Sequence, residues 1–310
     1  MPSVLGRRLL QSLVTLLVSV LLVFVMFSVI PGSFANAIGG EKRQISAEVK
    51  EKLRAELHLD EPVHKRFAHY VSGLVRGDLG NSFAMRRPVA GILAERLLAS
   101  LRLAVAAISF SALIGVPLGF LAAARKGTWI DATVMMLAIS GLSVPAFWFG
   151  LLAMYFFALE LRWLPTIGYG HGDLKHLILP AVTLGIAPLA LIARTTRAAV
   201  LQVMSEDFIR TARSKGASEP RVAMRHMARN AFVLILTTIG LQFGSMLGGS
   251  VIVENLFSWP GIGALLTQSV AQRDIPLVQG CVLLIIVFFL VINTLVDLTY
   301  IAIDPRIRYS

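Results

Sequence analysis

The chain has 310 residues, 56% of them hydrophobic and only 15% charged, and its mean hydropathy of +0.73 lies well past that of water-soluble globular domains. That balance excludes a soluble enzyme, because the apolar residues gather in long blocks of the kind that lipid solvates. The formal net charge of +11 sits between the blocks, where it reports membrane topology and forms no basic stripe for nucleic acid.

A bilayer core takes about 20 consecutive apolar residues per helix. The first such run, Leu9 to Ile30, follows Arg7 and Arg8 and precedes Ala35-Asn36-Ala37, a pattern close to a secretory signal with a small-residue cleavage site. It is longer than a signal core of roughly 7 to 15 residues and reads as an uncleaved first helix. The segment 31–100 follows as the main part outside the membrane. Within it Ser46 and the acids after it open a helix, Glu61-Pro62 ends or redirects it, and a second amphipathic piece runs from Val63 to Val75. Gly77 and Gly80 then break the pattern.

Five more apolar runs follow, at Leu101–Ala124, Thr133–Leu159, Leu177–Ala193, Ala231–Val253 and Val278–Ile301. Arg102 is expected to snorkel outward from the start of the second span. Pro117, Pro145, Pro180 and Pro188 each remove a helical hydrogen bond and predict local bends in spans two, three and four. In the fifth span Gly240, Gly244 and Gly248 recur every fourth residue, a surface for close helix packing and a candidate gate. Asp297, one turn after Asn293, reads as a cap or polar contact near the end of the sixth span. The expected fold is thus all-α and polytopic, a single transmembrane domain over 1–310.

Short cytoplasmic loops carry an excess of Lys and Arg. Arg7, Arg8, Arg125, Lys126, Arg194, Arg197, Arg210, Arg213, Lys215, Arg221, Arg225, Arg229, Arg306 and Arg308 fall on the side of the termini, against Arg162, Lys175 and Arg273 in the short loops opposite. Both termini are therefore expected in the cytoplasm and 31–100 on the outer face.

Several chemistries have no residues to carry them. A P-loop needs a glycine followed directly by lysine, and the sequence has no Gly-Lys pair. The six histidines lie in loops or at span ends, out of reach of a serine at membrane depth, and the spacing of His58, His64 and His69 shares no helix face for a metal. The single cysteine, Cys281, lies inside an apolar run and supports no intrachain disulfide. A stand-alone secondary carrier, the rival from another class, usually displays ionisable residues or broken helices near the midplane, with inverted repeats, and the spans are nearly free of central charge. No catalytic, cofactor-binding or metal-ligating residue is assigned.

The cytoplasmic segment 194–230 is long for a connection and rich in helix formers. Residues Asp207 to Gly216 read as a helix with acid at its start, bases in its last turn and Gly216 as its stop. Ser218 fits the N-cap of a second helix with Glu219 and Pro220 in its first turn. The interleaved Phe208, Ile209, Ala212 and Ala217 favour a surface shaped for a protein groove over a polybasic loop on anionic lipid.

Phe208-Ile-Arg-Thr-Ala-Arg-Ser-Lys-Gly-Ala-Ser218, with Arg225-His-Met-Ala-Arg-Asn230 after it, resembles the EAA loop of bacterial ABC importer permeases, in the form used by the dipeptide, oligopeptide and nickel branch. Arg210-Thr211-Ala212 stands where other importers carry Glu-Ala-Ala, and Gly216 is the matching glycine. Ile30-Pro31-Gly32, Arg76-Gly-Asp-Leu-Gly80, Arg87-Pro-Val89, Trp163-Leu-Pro165, Glu254-Asn-Leu-Phe-Ser-Trp-Pro-Gly-Ile-Gly263, Arg273-Asp-Ile-Pro276 and Asp304-Pro-Arg-Ile-Arg308 resemble further motifs of the branch. The acid expected after Pro31-Gly32 is replaced by Ser33-Phe34-Ala35.

The resemblance implies a multi-pass permease of the bacterial inner membrane that forms half of a channel and performs no covalent catalysis. Its implied partners are a second homologous permease, two cytoplasmic ATP-binding subunits that hold ATP and Mg, a periplasmic substrate-binding protein and membrane lipid, with no nucleic acid. Phe208, Arg210, Thr211, Ala212, Arg213, Lys215, Gly216, Ala217 and Ser218 form the implied ATPase-docking loop. Di- or oligopeptides are the favoured cargo, with glutathione and nickel as alternatives.

Overall fold

The computed structural model describes residues 2–29 and 61–303, and every regular element among them is a helix. The helix expected from Ser46, the Pro31-Gly32 motif and the Asp304-Pro305 motif lie outside the described residues.

Helix α1 spans Pro2–Val29. Helix α2, Val63–Val75, forms where its amphipathic pattern predicts it, and Gly77 and Gly80 end it at φ +75 and +77. Its apolar face, with Phe67, Tyr70, Val71 and Leu74, packs on Val20 and Val23 of α1. Helix α3, Val89–Ala124, begins well before the expected Leu101. Its extra turns bury Val89, Ile92 and Leu93 against Ile262, Leu277 and Cys281 in one packed cluster. Arg102 near this end donates to the Tyr169 hydroxyl at 2.7 Å.

The third expected span is two helices. Helix α4, Trp129–Ser143, ends at the extended Val144, and α5, Ala146–Ala153, starts after Pro145 and continues as a π-helical stretch, Met154–Glu160. The axis turns by 104° at this break, far beyond the local bend expected of a proline, because Pro145 offers no N–H and the residue before it has left the helical region. Helix α6, Leu174–Met204, absorbs both Pro180 and Pro188 and runs past the expected end at Ala193. Arg194 and Arg197 are therefore helical. The extension is fixed by a two-pronged pair in which Arg197 donates to Asp131 of α4 at 2.5 and 2.7 Å. Helices α3 and α6 approach closely, since a Cβ at Gly115 would lie 2.9 Å from the Leu189 carbonyl oxygen. The Ser111 hydroxyl donates to the Gly185 carbonyl at 2.7 Å across the same contact.

Helix α7 is Asp207–Ser214. Helix α8, Ala228–Leu256, is led in by a single turn, Glu219–Arg221, and a π-helical stretch, Val222–Met227. Helix α9, Ile262–Ala271, was not expected, and α10 is Ile275–Ile303. Glu254 explains the α8 to α9 connection. Its fully buried carboxylate accepts from the Ser100 hydroxyl at 2.6 Å, the Ser250 hydroxyl at 2.9 Å and the Ala264 N–H at 3.0 Å. The Trp259 indole N–H donates to the Ala99 carbonyl at 2.9 Å, so the connection is pinned to α3. On the same flank the buried Asp274 accepts from the Ser82 hydroxyl at 2.5 Å and the Ala84 N–H at 3.0 Å, tying the loop before α3 to α10.

Among the described residues four stretches are long and apolar enough to cross a membrane: Val89–Ala124, Leu174–Met204, Arg225–Leu256 and Ile275–Thr299. The bent α4–α5 pair makes a fifth if it counts as one span, and α1 contributes the shorter apolar stretch Leu10–Met26. The described residues thus give four or five spans where the sequence reading expects six.

Candidate functional site

The corner between α6 and α8 is built locally. Helix α7 has Asp207 in its first turn and Arg213 in its last, each complementing the helix dipole. It stops because Gly216 takes φ +78. The Gly216 N–H donates to the Arg213 carbonyl at 2.9 Å and the Ala217 N–H to the Ala212 carbonyl at 3.2 Å, the paired bonds of a Schellman cap. Half-buried Ala212 and Ala217 join the apolar cluster beneath, which supplies the hydrophobic contact that accompanies such a cap.

The next turn starts at Ser218, whose backbone is extended at φ −64 and ψ 146 as an N-cap should be, but whose side chain makes no capping bond. A different contact closes the corner. Arg213 donates from Nε to Glu219 Oε1 at 2.8 Å and from Nη2 to Oε2 at 3.1 Å, clasping the end of one helix to the start of the next. Those hydrogen bonds hold the Glu219 carboxyl below its ordinary range and push the Arg213 guanidinium up.

The corner is anchored by Ile209, Val222 and Met227, which are buried in one cluster with Ala123 of α3, Ala199 and Val200 of α6, and Ala231 and Ile235 of α8. Seating α7 in this way turns its other face outward. Phe208 is 42% exposed, and Arg210, Thr211, Lys215, Arg221, Arg225 and Arg229 are exposed as well. The acids paired with bases of this corner are Asp207, 3.8 Å from Arg210, and the clasped Glu219. The result is a rigid basic surface with one aromatic side chain, held on the ends of α3, α6 and α8.

Gly240, Gly244 and Gly248 belong to a different place. A Cβ at Gly240 would overlap Val296, one at Gly244 would lie 3.4 Å from Ile292 and Phe289, and one at Gly248 would lie 3.8 Å from Ile285. The stripe therefore faces the chain's own α10.

Sequence reasoning missed the Arg213–Glu219 clasp, although its signal was present: an arginine in the last turn before a stop glycine and an acid three residues after it. It also missed the Asp131–Arg197 pair and the Glu254 cluster, whose partners are far apart in sequence.

Two family models match, one described as the N-terminal part of a binding-protein-dependent transport system membrane component over residues 1–104, and one as the binding-protein-dependent transport system inner membrane component over 115–309. The glutathione transport system permease protein GsiC of Escherichia coli K12 is 44% identical over 304 residues, covering 98% of each chain, and that of Salmonella typhi is equally similar. Among solved structures, an inward-facing form of the MetNI methionine ABC transporter has a TM-score of 0.57 at 18% identity, over 69% of this chain and 96% of that one. An amino acid ABC transporter has a TM-score of 0.52 at 20% identity, over 67% and 92%. These two share the fold. The chain belongs to the inner-membrane permease components of binding-protein-dependent ABC importers, in the dipeptide, oligopeptide and nickel branch.

Proposed function

We propose that this permease forms half of the translocation channel of an importer for glutathione, and that the 207–230 corner receives a separate cytoplasmic ATP-binding subunit. The observation that carries the reading is the corner itself: a capped helix, a left-handed glycine and a clasp that together hold a basic surface in one orientation. A loop that only attracted anionic lipid would need the charge and not the fixed shape. The sequence reading put di- and oligopeptides first. The 44% identity to glutathione permeases moves the choice to glutathione, which is itself a tripeptide. The remaining parts are a second permease, two ATP-binding subunits holding ATP and Mg, and a periplasmic binding protein that delivers cargo. In this reading α1 and the α4–α5 pair bring the spans to six, with both termini and the corner in the cytoplasm.

Reconstitution tests this. Proteoliposomes with the full set of subunits and binding protein should take up glutathione only with ATP, and the chain alone should show neither ATPase activity nor uptake. Ion-driven uptake by the chain alone would overturn the importer reading, and ATP-driven uptake of other cargo without glutathione would overturn the cargo.

A further inference from the structure

Helix α8 is covered by its own chain on two flanks. Gly240, Gly244 and Gly248 lie on α10, and Ile235, Met246, Ser250 and Val253 are buried on the other side. The arc between these flanks carries the exposed apolar Leu234, Leu241 and Ile252 and, beside them, four polar or small positions: half-buried Thr238 and Gln242 and exposed Ser245 and Gly249. At 3.6 residues per turn these four positions fall within about 60° of one another.

Gln242 stands midway between Ala228 and Leu256, at the centre of a helix long and apolar enough to span the membrane. The hydroxyls of Thr238 and Ser245 bond back to their own helix, to the Leu234 carbonyl at 3.0 Å and the Gln242 carbonyl at 2.9 Å. The Gln242 carboxamide has no partner among the described residues. An unpaired amide against hydrocarbon is strongly unfavourable, and intramembrane polar side chains turn to protein or to water-filled cavities. The contrast is the middle of α4, where the exposed positions Met136, Leu137 and Ile139 are side chains that lipid solvates at no penalty. A Cβ at Gly249 would meet nothing within 4 Å, so the arc opens to free space one to two turns from Gln242.

We infer that this arc of α8 faces the aqueous translocation path and that the Gln242 carboxamide hydrogen-bonds the peptide groups of the passing cargo. A carboxamide both donates and accepts, so it matches a peptide group in either direction and adds no charge that would hold an anionic tripeptide in place. The inference rests on the importer reading and names the residue of this chain that touches cargo.

The test uses the complete transporter in proteoliposomes. Cys281 is fully buried, so the wild type serves as the unreactive background for a charged, water-soluble thiol reagent. Gly249→Cys should be modified and its modification should block uptake, whereas Met136→Cys should stay unmodified. Gln242→Leu should reach normal membrane abundance and raise the KM for glutathione by about three- to ten-fold, the loss of one net hydrogen bond. An unreactive Gly249→Cys, or a Gln242→Leu variant with unchanged KM, overturns the assignment. A disulfide from Gly249→Cys to the second permease without reagent labelling also overturns it, making the arc a subunit contact. Should the wild-type assembly import no glutathione, the cargo reading fails by itself, and labelling of Gly249→Cys still decides whether the arc faces water.

Discussion

Gly216 has nothing within 4 Å of where a Cβ would stand, so space does not explain the residue; its φ of +78 does. A side chain disfavours that conformation by roughly 1 kcal/mol, and a β-branched one by more. Gly216→Val should leave the chain inserted at normal abundance and abolish ATP-driven uptake or ATPase recovery, while Gly216→Asn, which tolerates the left-handed region better, should keep most of both. The clasp gives a second, pH-dependent expectation. The Glu219 carboxyl is lowered in the folded corner from its ordinary 4.5, so its contribution is fully present above that value and is lost as pH falls through the lowered one. Protection of the Ala217 amide from hydrogen exchange should therefore be constant near neutral pH, where the clasp is intact, and should fall in acid. Glu219→Gln should show the reduced protection at every pH.

Helices whose cause is local were legible in the sequence. Helix α2 starts and ends where its pattern says, and α7 stops at the glycine that the charge gradient and spacing single out. Elements set by distant contacts were not. The Pro145 break was expected as a bend, whereas the axis turns by 104° there and both halves pack against α6. Helix α9 was hidden because Glu254 is matched to Ser100, 154 residues away, and to an amide 10 residues ahead. A Cβ at Gly261 would overlap the Glu254 carboxylate, which gives the glycines of the Glu254 to Gly263 motif a steric reason. Gly261→Ala should loosen α9 from α3, lowering the inactivation temperature in detergent by an amount consistent with an overpacking cost of about 1–3 kcal/mol. An unchanged temperature would mean that the acid and α9 are not coupled in this way.

At the scale of the molecule the structure puts one rigid surface, 207–230, on the ends of three long helices, α3, α6 and α8. The Arg197–Asp131 pair ties the extension of α6 to the first turn of α4. On the orientation proposed from the basic asymmetry of the loops, a cysteine at Ser218 should be labelled only from the cytoplasm and one at Asn81 only from the periplasm. The central claim is that the surface holds a protein, and a photo-reactive phenylalanine analogue at Phe208, in membranes containing all subunits, tests it most directly. The account predicts a covalent adduct between this chain and the ATP-binding subunit; adducts with lipid alone would contradict it.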